Sequence, residues 1–264
     1  MKVWSVANQK GGVGKTTTAV SLAGLSVLHG SRTLLIDMDP HGSLTSYFGY
    51  DPESIQPSLY DIFQTVQLDS QFTQSIVRRT TLDNLDLLPA STAIATLDKQ
   101  LGAKSGMGLA VVNAIKHFTG KYDHVFIDCP PMLGVLMVNA LAACDHLIIP
   151  VQTEFLAMKG LERMLNTLQM IERAKSIEIA YTIVPTMYDK RTRASIESLR
   201  YLRDNYPEHI WSSVIPIDTR FRESSREGKP ISHYRVSARG ARAYSSLLDG
   251  IMQGKTVEKK AVIQ

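Results

Sequence analysis

Cysteine is scarce in this chain of 264 residues: there are two, Cys129 and Cys144. Two thiols placed so far apart make neither a secreted disulfide framework nor a zinc spacing, so a reduced, cytoplasmic setting with two inert thiols is expected. No apolar run approaches the roughly 20 residues that span a bilayer. The first strand-like run starts at Val3, which leaves no room for a leader peptide. Long polar linkers, low-complexity tracts and internal repeats are missing too, and neither sign of charge dominates, with 29 Lys and Arg against 25 Asp and Glu. What is present is a hydrophobic content of 44%, enough at this length for a full core.

The most informative stretch is Asn8-Gln9-Lys10-Gly11-Gly12-Val13-Gly14-Lys15-Thr16-Thr17-Thr18. It follows an apolar strand-like run, Val3 to Ala7, and opens a helical pattern that runs to His29 before Gly30 stops it. Strand, glycine loop and helix together make a phosphate cradle. Glycines let successive N–H groups turn inward on phosphate oxygens while the helix N-terminus adds the positive end of its dipole. Gly11, Gly12, Val13, Gly14, Lys15, Thr16 and Thr17 are therefore the expected nucleotide contacts. Lys15 supplies the mobile charge, and Thr16 is placed to offer its hydroxyl to a magnesium ion.

Two further apolar strands end in acids. Arg32 to Pro40 carries Asp37 and Asp39, which alternation along a strand places on one side, and Val125 to Pro131 carries Asp128. Carboxylates at a strand's end are costly without a cation or donor nearby.

With Gln9 at the first position of the loop pattern and a second lysine, Lys10, ahead of the glycine pair, the chain resembles the ParA/MinD family of P-loop ATPases in their deviant Walker A form. The resemblance covers nearly the whole chain, but its specific motifs lie in the first half. It implies that Lys10 reaches the nucleotide of a second subunit in an ATP-dependent homodimer. Asp39 then orients or activates the attacking water with Asp37 as a nearby support, and Asp128 holds Mg2+, through water, with Thr16. Lys10, Lys15 and Asp39 are the expected catalytic set. Phosphoryl transfer to water asks mainly for charge neutralisation and an in-line water, which this set supplies. The ATPase is expected to be slow and partner-stimulated. The two cysteines do not match the cluster ligands of the nitrogenase iron-protein relatives, because Cys129 adjoins the acid of Asp128.

Strand-like runs at Leu85–Pro89, His146–Val151, Ile177–Val184 and Trp211–Ile215 alternate with helical stretches at Leu109–Phe118, Leu133–Ala143, Leu156–Ala174, Ser195–Asn205 and Arg239–Met252. This pattern predicts a single-domain α/β P-loop fold over 1–254, a mostly parallel twisted sheet with helices on both faces. A short polar tail, 255–264, follows. The tail lacks the wide apolar face of a membrane-anchoring helix, so stable membrane insertion is not expected.

Positive charge gathers late, with twelve basic against seven acidic residues between Asp189 and Arg242. A face built there offers a nonspecific DNA surface, with Arg191, Arg193, Arg220 and Arg222 as the leading contacts, or else ordinary surface and interface arginines. Val184 to Met187 and Val214 to Asp218 resemble the segments that flank adenine in ParA-like proteins, which points to Thr186, Pro216 and Asp218. No guanine-specific Asn-Lys-x-Asp sequence is present, so ATP is the expected nucleotide.

At the first switch, Asp39-Pro40-His41-Gly42-Ser43 departs from the more usual Asp-Pro-Gln-Gly-Asn. Together with Val3 to Asn8 it looks like the ParA-like ATPases encoded with chemotaxis genes, the ParC group. That likeness implies a cargo of chemotaxis arrays at the cell pole and an array adaptor or polar landmark as partner. The alternatives are a DNA partition ATPase on the nucleoid with a ParB-like partner, and a metabolic P-loop enzyme that activates a small carboxylate.

Overall fold

The computed structural model describes residues 1–65, 67–97, 109–175 and 178–253. Its centre is β1 (Lys2–Val6), hydrogen-bonded in parallel to β5 (His124–Asp128) on one side and β6 (His146–Gln152) on the other. Beyond β5 lie β2 (Thr33–Asp37), β4 (Leu85–Leu88) and the two-residue β3 (Arg78–Arg79), and beyond β6 lies β7 (Ala180–Thr186). The order is therefore β3-β4-β2-β5-β1-β6-β7, and among the described residues only the β3–β4 edge is antiparallel. Both faces of such a sheet must be covered, and its strands read as nearly continuous apolar runs.

Alternation along the strands sorts the core into two layers. Trp4, Leu35, Phe126 and Ile148 point to the face covered by α1 (Lys15–Leu28) and α11 (Arg239–Met252), where Leu22, Tyr244 and Leu248 meet them. Trp4 stacks on Phe126, its register partner on β5, at 6.2 Å between centroids. Val3, Leu34, Ile127 and Ile149 point the other way, against α6 (Val135–Ala143) and α7 (Phe155–Lys175) through Met137, Ala140 and Leu161. The remaining helices among the described residues are α2 (Ser43–Tyr47), α3 (Leu59–Gln64), α4 (Ser70–Ser75), α5 (Ala110–Lys116), α8 (Arg193–Asn205), α9 (Arg220–Arg226) and α10 (Ile231–Tyr234). A short 3-10 turn spans Thr92–Thr96.

One close approach fixes how α1 meets the late segment. A Cβ on Gly24 would lie 2.4 Å from the Pro230 Cβ and 2.8 Å from the Ser232 hydroxyl, so glycine lets α10 dock directly on the α1 backbone. The late segment is also tied to α2, because the Tyr47 hydroxyl donates to the Lys229 carbonyl at 2.9 Å.

The sequence places the long elements within one to three residues, but Trp211–Ile215 is not a strand. The chain there runs beside β7 through isolated bridges, Ile183 to Ile210 and Tyr188 to Pro216. Between them Ser212 and Ser213 swing out to solvent, and Pro216 has no N–H to continue a ladder. Of the predicted run Ile177–Val184, Ile177 lies outside the described residues, as does the predicted tail 255–264. Among the described residues no helix is long and apolar enough to cross a membrane.

Candidate functional site

The C-terminal ends of β1, β2 and β5 share one edge of the sheet, and β1 sits where the connections diverge to either side. In open α/β sheets this is where the crevice for a ligand forms. Pro150 helps to open it. The ladder between β1 and β6 reaches only Ile148, and beyond it the Asn8 side chain takes over, donating to the Pro150 carbonyl at 2.8 Å. The Asn8 amide oxygen accepts from the Lys10 N–H at 3.0 Å, so the loop leaves β1 on a fixed path.

Gly12 and Gly14 have φ of +75° and +92°, values that side chains resist, and Gly14 is the N-cap of α1. A Cβ at Gly11, Gly12 or Gly14 would meet open space. Lys15 is buried and curls back over the loop, its Nζ donating to the Lys10 carbonyl at 3.3 Å. Lys10 turns outward instead and pairs with Glu154 at the start of α7. The two lysines of the loop therefore serve different places. Val13 is fully buried, and its carbonyl accepts a hydrogen bond from the Thr186 hydroxyl at 2.9 Å.

Three carboxylates gather near the start of α1, and one of them touches it. Thr16 Oγ1 donates to Asp128 Oδ2 at 2.6 Å, while Asp128 Oδ1 is buried without a partner among the described residues. Burial first, then the charge of Asp37, pushes the Asp128 carboxyl well above the usual range. Asp37 is raised to about 6 by burial, partly offset by hydrogen bonds from the Thr45 hydroxyl, the Thr45 N–H and the Asp39 N–H. An acid with an orphaned oxygen beside a second raised acid and a threonine hydroxyl would suit a divalent cation. Asp39 does not follow the strand alternation, because β2 ends at Asp37. Its carboxylate is turned instead to His41, whose backbone N–H and ring Nδ1 approach Oδ1 at 3.0 and 2.9 Å.

The predicted base contacts divide. Pro216 and Asp218 line a cleft of about 720 Å³ with Tyr188, Arg191, Arg220 and Arg239. Thr186 does not line it. Its hydroxyl is committed to Val13 and its carbonyl accepts from the Thr153 N–H at 3.1 Å, so it braces the phosphate loop. Asp218 is also committed, accepting from the N–H groups of Arg220 and Gly240 at 3.1 Å each.

The four predicted arginine contacts are not equivalent. Arg191 forks onto Asp189, whose carboxyl it holds down at about 2, and Arg193 pairs with Glu197 at 2.6 Å. Arg220 approaches Asp218 at 3.7 Å, and Arg222 is exposed with no ion pair among the described residues. Cys129 and Cys144 are raised by burial, consistent with inert thiols.

Sequence reasoning missed Glu154, Thr45, Tyr188 and Arg239. Glu154 had a signal, since it lies in the two-residue connection between β6 and α7. The others meet the site only through tertiary contacts.

A family model described as an AAA domain matches residues 1–181. The sporulation initiation inhibitor protein Soj of Bacillus subtilis is 35% identical over 93% of this chain and 96% of its own length. The chromosome partitioning protein ParA of Myxococcus xanthus is 31% identical over 97% of this chain and 89% of that protein. The chain belongs to the ParA/MinD-type P-loop ATPase family. A solved structure described as cobyrinic acid a,c-diamide synthase of Mycobacterium smegmatis, with bound ATP analogue and magnesium, superposes on this family member with a TM-score of 0.81 at 32% identity, covering 96% of this chain and 95% of that one. The Cyanothece McdA structure, at 20% identity and a TM-score of 0.84 over 96% of this chain and 99% of its own, shares the fold. Two relatives in this family, from M. xanthus and Caulobacter vibrioides, are named for chromosome partitioning.

Proposed function

We propose that this chain is an ATP-dependent dimerisation switch that hydrolyses ATP while moving or holding a large cargo. The observation that carries it is the division of labour between the loop lysines: Lys15 covers its own loop, while Lys10 points out of it to Glu154. A loop lysine directed away from its own cradle serves a second subunit better than its own phosphates. Around that edge Met132, Leu133, Phe155 and Leu156 are 72%, 49%, 75% and 66% exposed, an apolar surface suited to burial by a second copy.

Gly11 to Thr17 bind the phosphates with backbone N–H groups, and Lys15 neutralises the outer ones. Thr16 and Asp128 hold Mg2+, with Asp37 or Asp39 nearby; bound there, the ion supplies charge neutralisation on the terminal phosphates. Asp39 orients a water in line with the γ-phosphorus. The water oxygen forms the new P–O bond as the bond to the bridging oxygen breaks, giving ADP and phosphate. Pro216 and the cleft beside it border the base, and Lys10 of a partner subunit offsets the charge that develops on the leaving oxygen.

For cargo, the relatives named for chromosome partitioning favour DNA partition, with nonspecific DNA on the Arg222 side of the late basic segment and a ParB-like protein as partner. A chemotaxis-array cargo at the cell pole rests on the switch residues 39–49 and the start of the chain alone. A metabolic reading draws support from the M. smegmatis structure described as a cobyrinic acid amidating enzyme.

Size measurement of Asp39→Ala protein with ATP and with ADP tests the switch. A dimer with ATP and a monomer with ADP is expected. A monomer in both, with phosphate release accelerated only by a small carboxylate substrate, would overturn it in favour of the metabolic enzyme.

A further inference from the structure

Asp39 sits in a turn that is held from several directions. Its N–H donates to Asp37 Oδ1 at 3.1 Å, and its carbonyl accepts from the Gly42 N–H at 2.8 Å. Gly42 has φ of +61°, and an added Cβ there would lie 2.3 Å from the Pro52 Cγ, so the turn is wedged against the chain beyond α2. The carboxylate itself is used unevenly. Oδ1 receives both the N–H and the ring of His41, at 3.0 and 2.9 Å, and Oδ2 has no donor among the described residues. A carboxylate only accepts, so Nδ1 is the protonated nitrogen in this contact.

We infer that His41 is a positioning residue for hydrolysis: its ring fixes the rotation of the Asp39 carboxylate so that Oδ2 is presented to the attacking water. The inference rests on the reading of Asp39 as the group that orients water. A carboxylate held only by its own backbone turns about its last torsion, which is broad and roughly two-fold, and would share its two oxygens between the roles. The His41 contact removes that freedom. The His41 side chain is 82% exposed, so the contact adds little to folding, and its effect falls on the geometry of the reaction. Asparagine places an N–H donor close to where Nδ1 lies; alanine and phenylalanine do not.

The test is steady-state ATP hydrolysis by the full chain with Mg2+, comparing wild type, His41→Ala, His41→Phe, His41→Asn and Asp39→Ala. His41→Ala and His41→Phe are expected to lower kcat by about 3- to 10-fold with KM for ATP unchanged, because orientation is lost and binding is not. His41→Asn is expected to recover most of the loss. A wild-type kcat in His41→Ala, an equal fall in kcat and rise in KM, or a failure of His41→Asn to recover activity would each overturn the inference. If Asp39→Ala keeps wild-type turnover, the reading of Asp39 fails and the role of His41 with it. Thermal melts of each variant separate these outcomes from misfolding, since an exposed side chain should leave the midpoint within a degree or two.

Discussion

Thr16 at the first turn of α1 and Asp128 at the end of β5 are joined by a hydrogen bond of 2.6 Å across 112 residues of sequence. The hydroxyl that would bind a cation and the acid that would support it are thus held together before any ligand arrives. Breaking the pair should cost the loaded state more than the empty one. Thr16→Ala and Asp128→Asn should each retain the fold and weaken the magnesium dependence of nucleotide binding by roughly 10-fold or more. Calorimetric titration of ATP at varied Mg2+ checks this; affinity that still rises with Mg2+ as in wild type would refute the site.

Lys15→Ala should lose most of its affinity for ATP, on the order of 2–4 kcal/mol, because charge-assisted contacts to phosphate are strong and the other loop lysine is tied to Glu154. Direct calorimetry decides it. Lys10→Ala should bind ATP nearly as wild type but fail to dimerise. Glu154→Gln frees Lys10 and should lower the ATP concentration needed for the dimer. Sedimentation with and without ATP reads both.

The Asp37 carboxyl is raised by burial from 3.8 to about 6. The folded protein therefore holds this proton where the unfolded chain has released it, and stability falls as pH rises from about 4 to about 6. In nucleotide-free and magnesium-free protein, the stability of wild type relative to Asp37→Asn should drop over that window by an amount on the order of 3 kcal/mol. Asp128 keeps a raised carboxyl in both proteins, less so once Asp37 is neutral. Urea unfolding at a series of pH values measures the difference. A difference that grows with pH would contradict the assignment.

Gly24→Ala should destabilise the protein although alanine favours helices by about 1 kcal/mol. The new methyl would meet Pro230 at 2.4 Å, and overpacking of this kind costs roughly 1–3 kcal/mol, so a net loss is expected. If the melting midpoint rises instead, the docking of α10 on α1 is misplaced.

Arg222→Ala should make the salt dependence of DNA binding by the ATP-loaded Asp39→Ala protein shallower by about one unit per lost phosphate contact. Arg191→Ala and Arg193→Ala should change it less, since Asp189 and Glu197 already neutralise those side chains. Filter binding at several salt concentrations ranks the three.

Much of this was legible in the sequence, for physical reasons. Parallel strands buried on both faces read as apolar runs, and a glycine loop between strand and helix has few other uses, so β1, the loop, α1 and the acid-tipped strands stood out. Trp211–Ile215 looked the same on paper and failed because two serines and a proline deny it a ladder. Thr186, expected at the base mainly through backbone groups, lies outside the cleft that Pro216 and Asp218 line, and its hydroxyl meets Val13. Glu154 has only its place between β6 and α7 to mark it and Thr45 has no local signal, because what they touch lies 144 and eight residues away. The short helices α2, α9 and α10 were hidden too, being held by contacts such as Tyr47 with Lys229 and not by their own periodicity.

The placement of β1 also governs how the molecule can come into being. Its two neighbours are β5 and β6, so β1 leaves a ribosome with no partner in this sheet until residue 124, and its second side waits for residue 146. About 120 residues must be made after β1 before it can join the sheet. At about 5–20 residues per second that is a wait of several seconds or more, with Val3, Trp4 and Val6 exposed. The nucleotide loop follows directly on this strand, so it is shaped only when the middle of the chain arrives. A nascent chain stalled before β5 would carry the whole phosphate motif and be unable to use it.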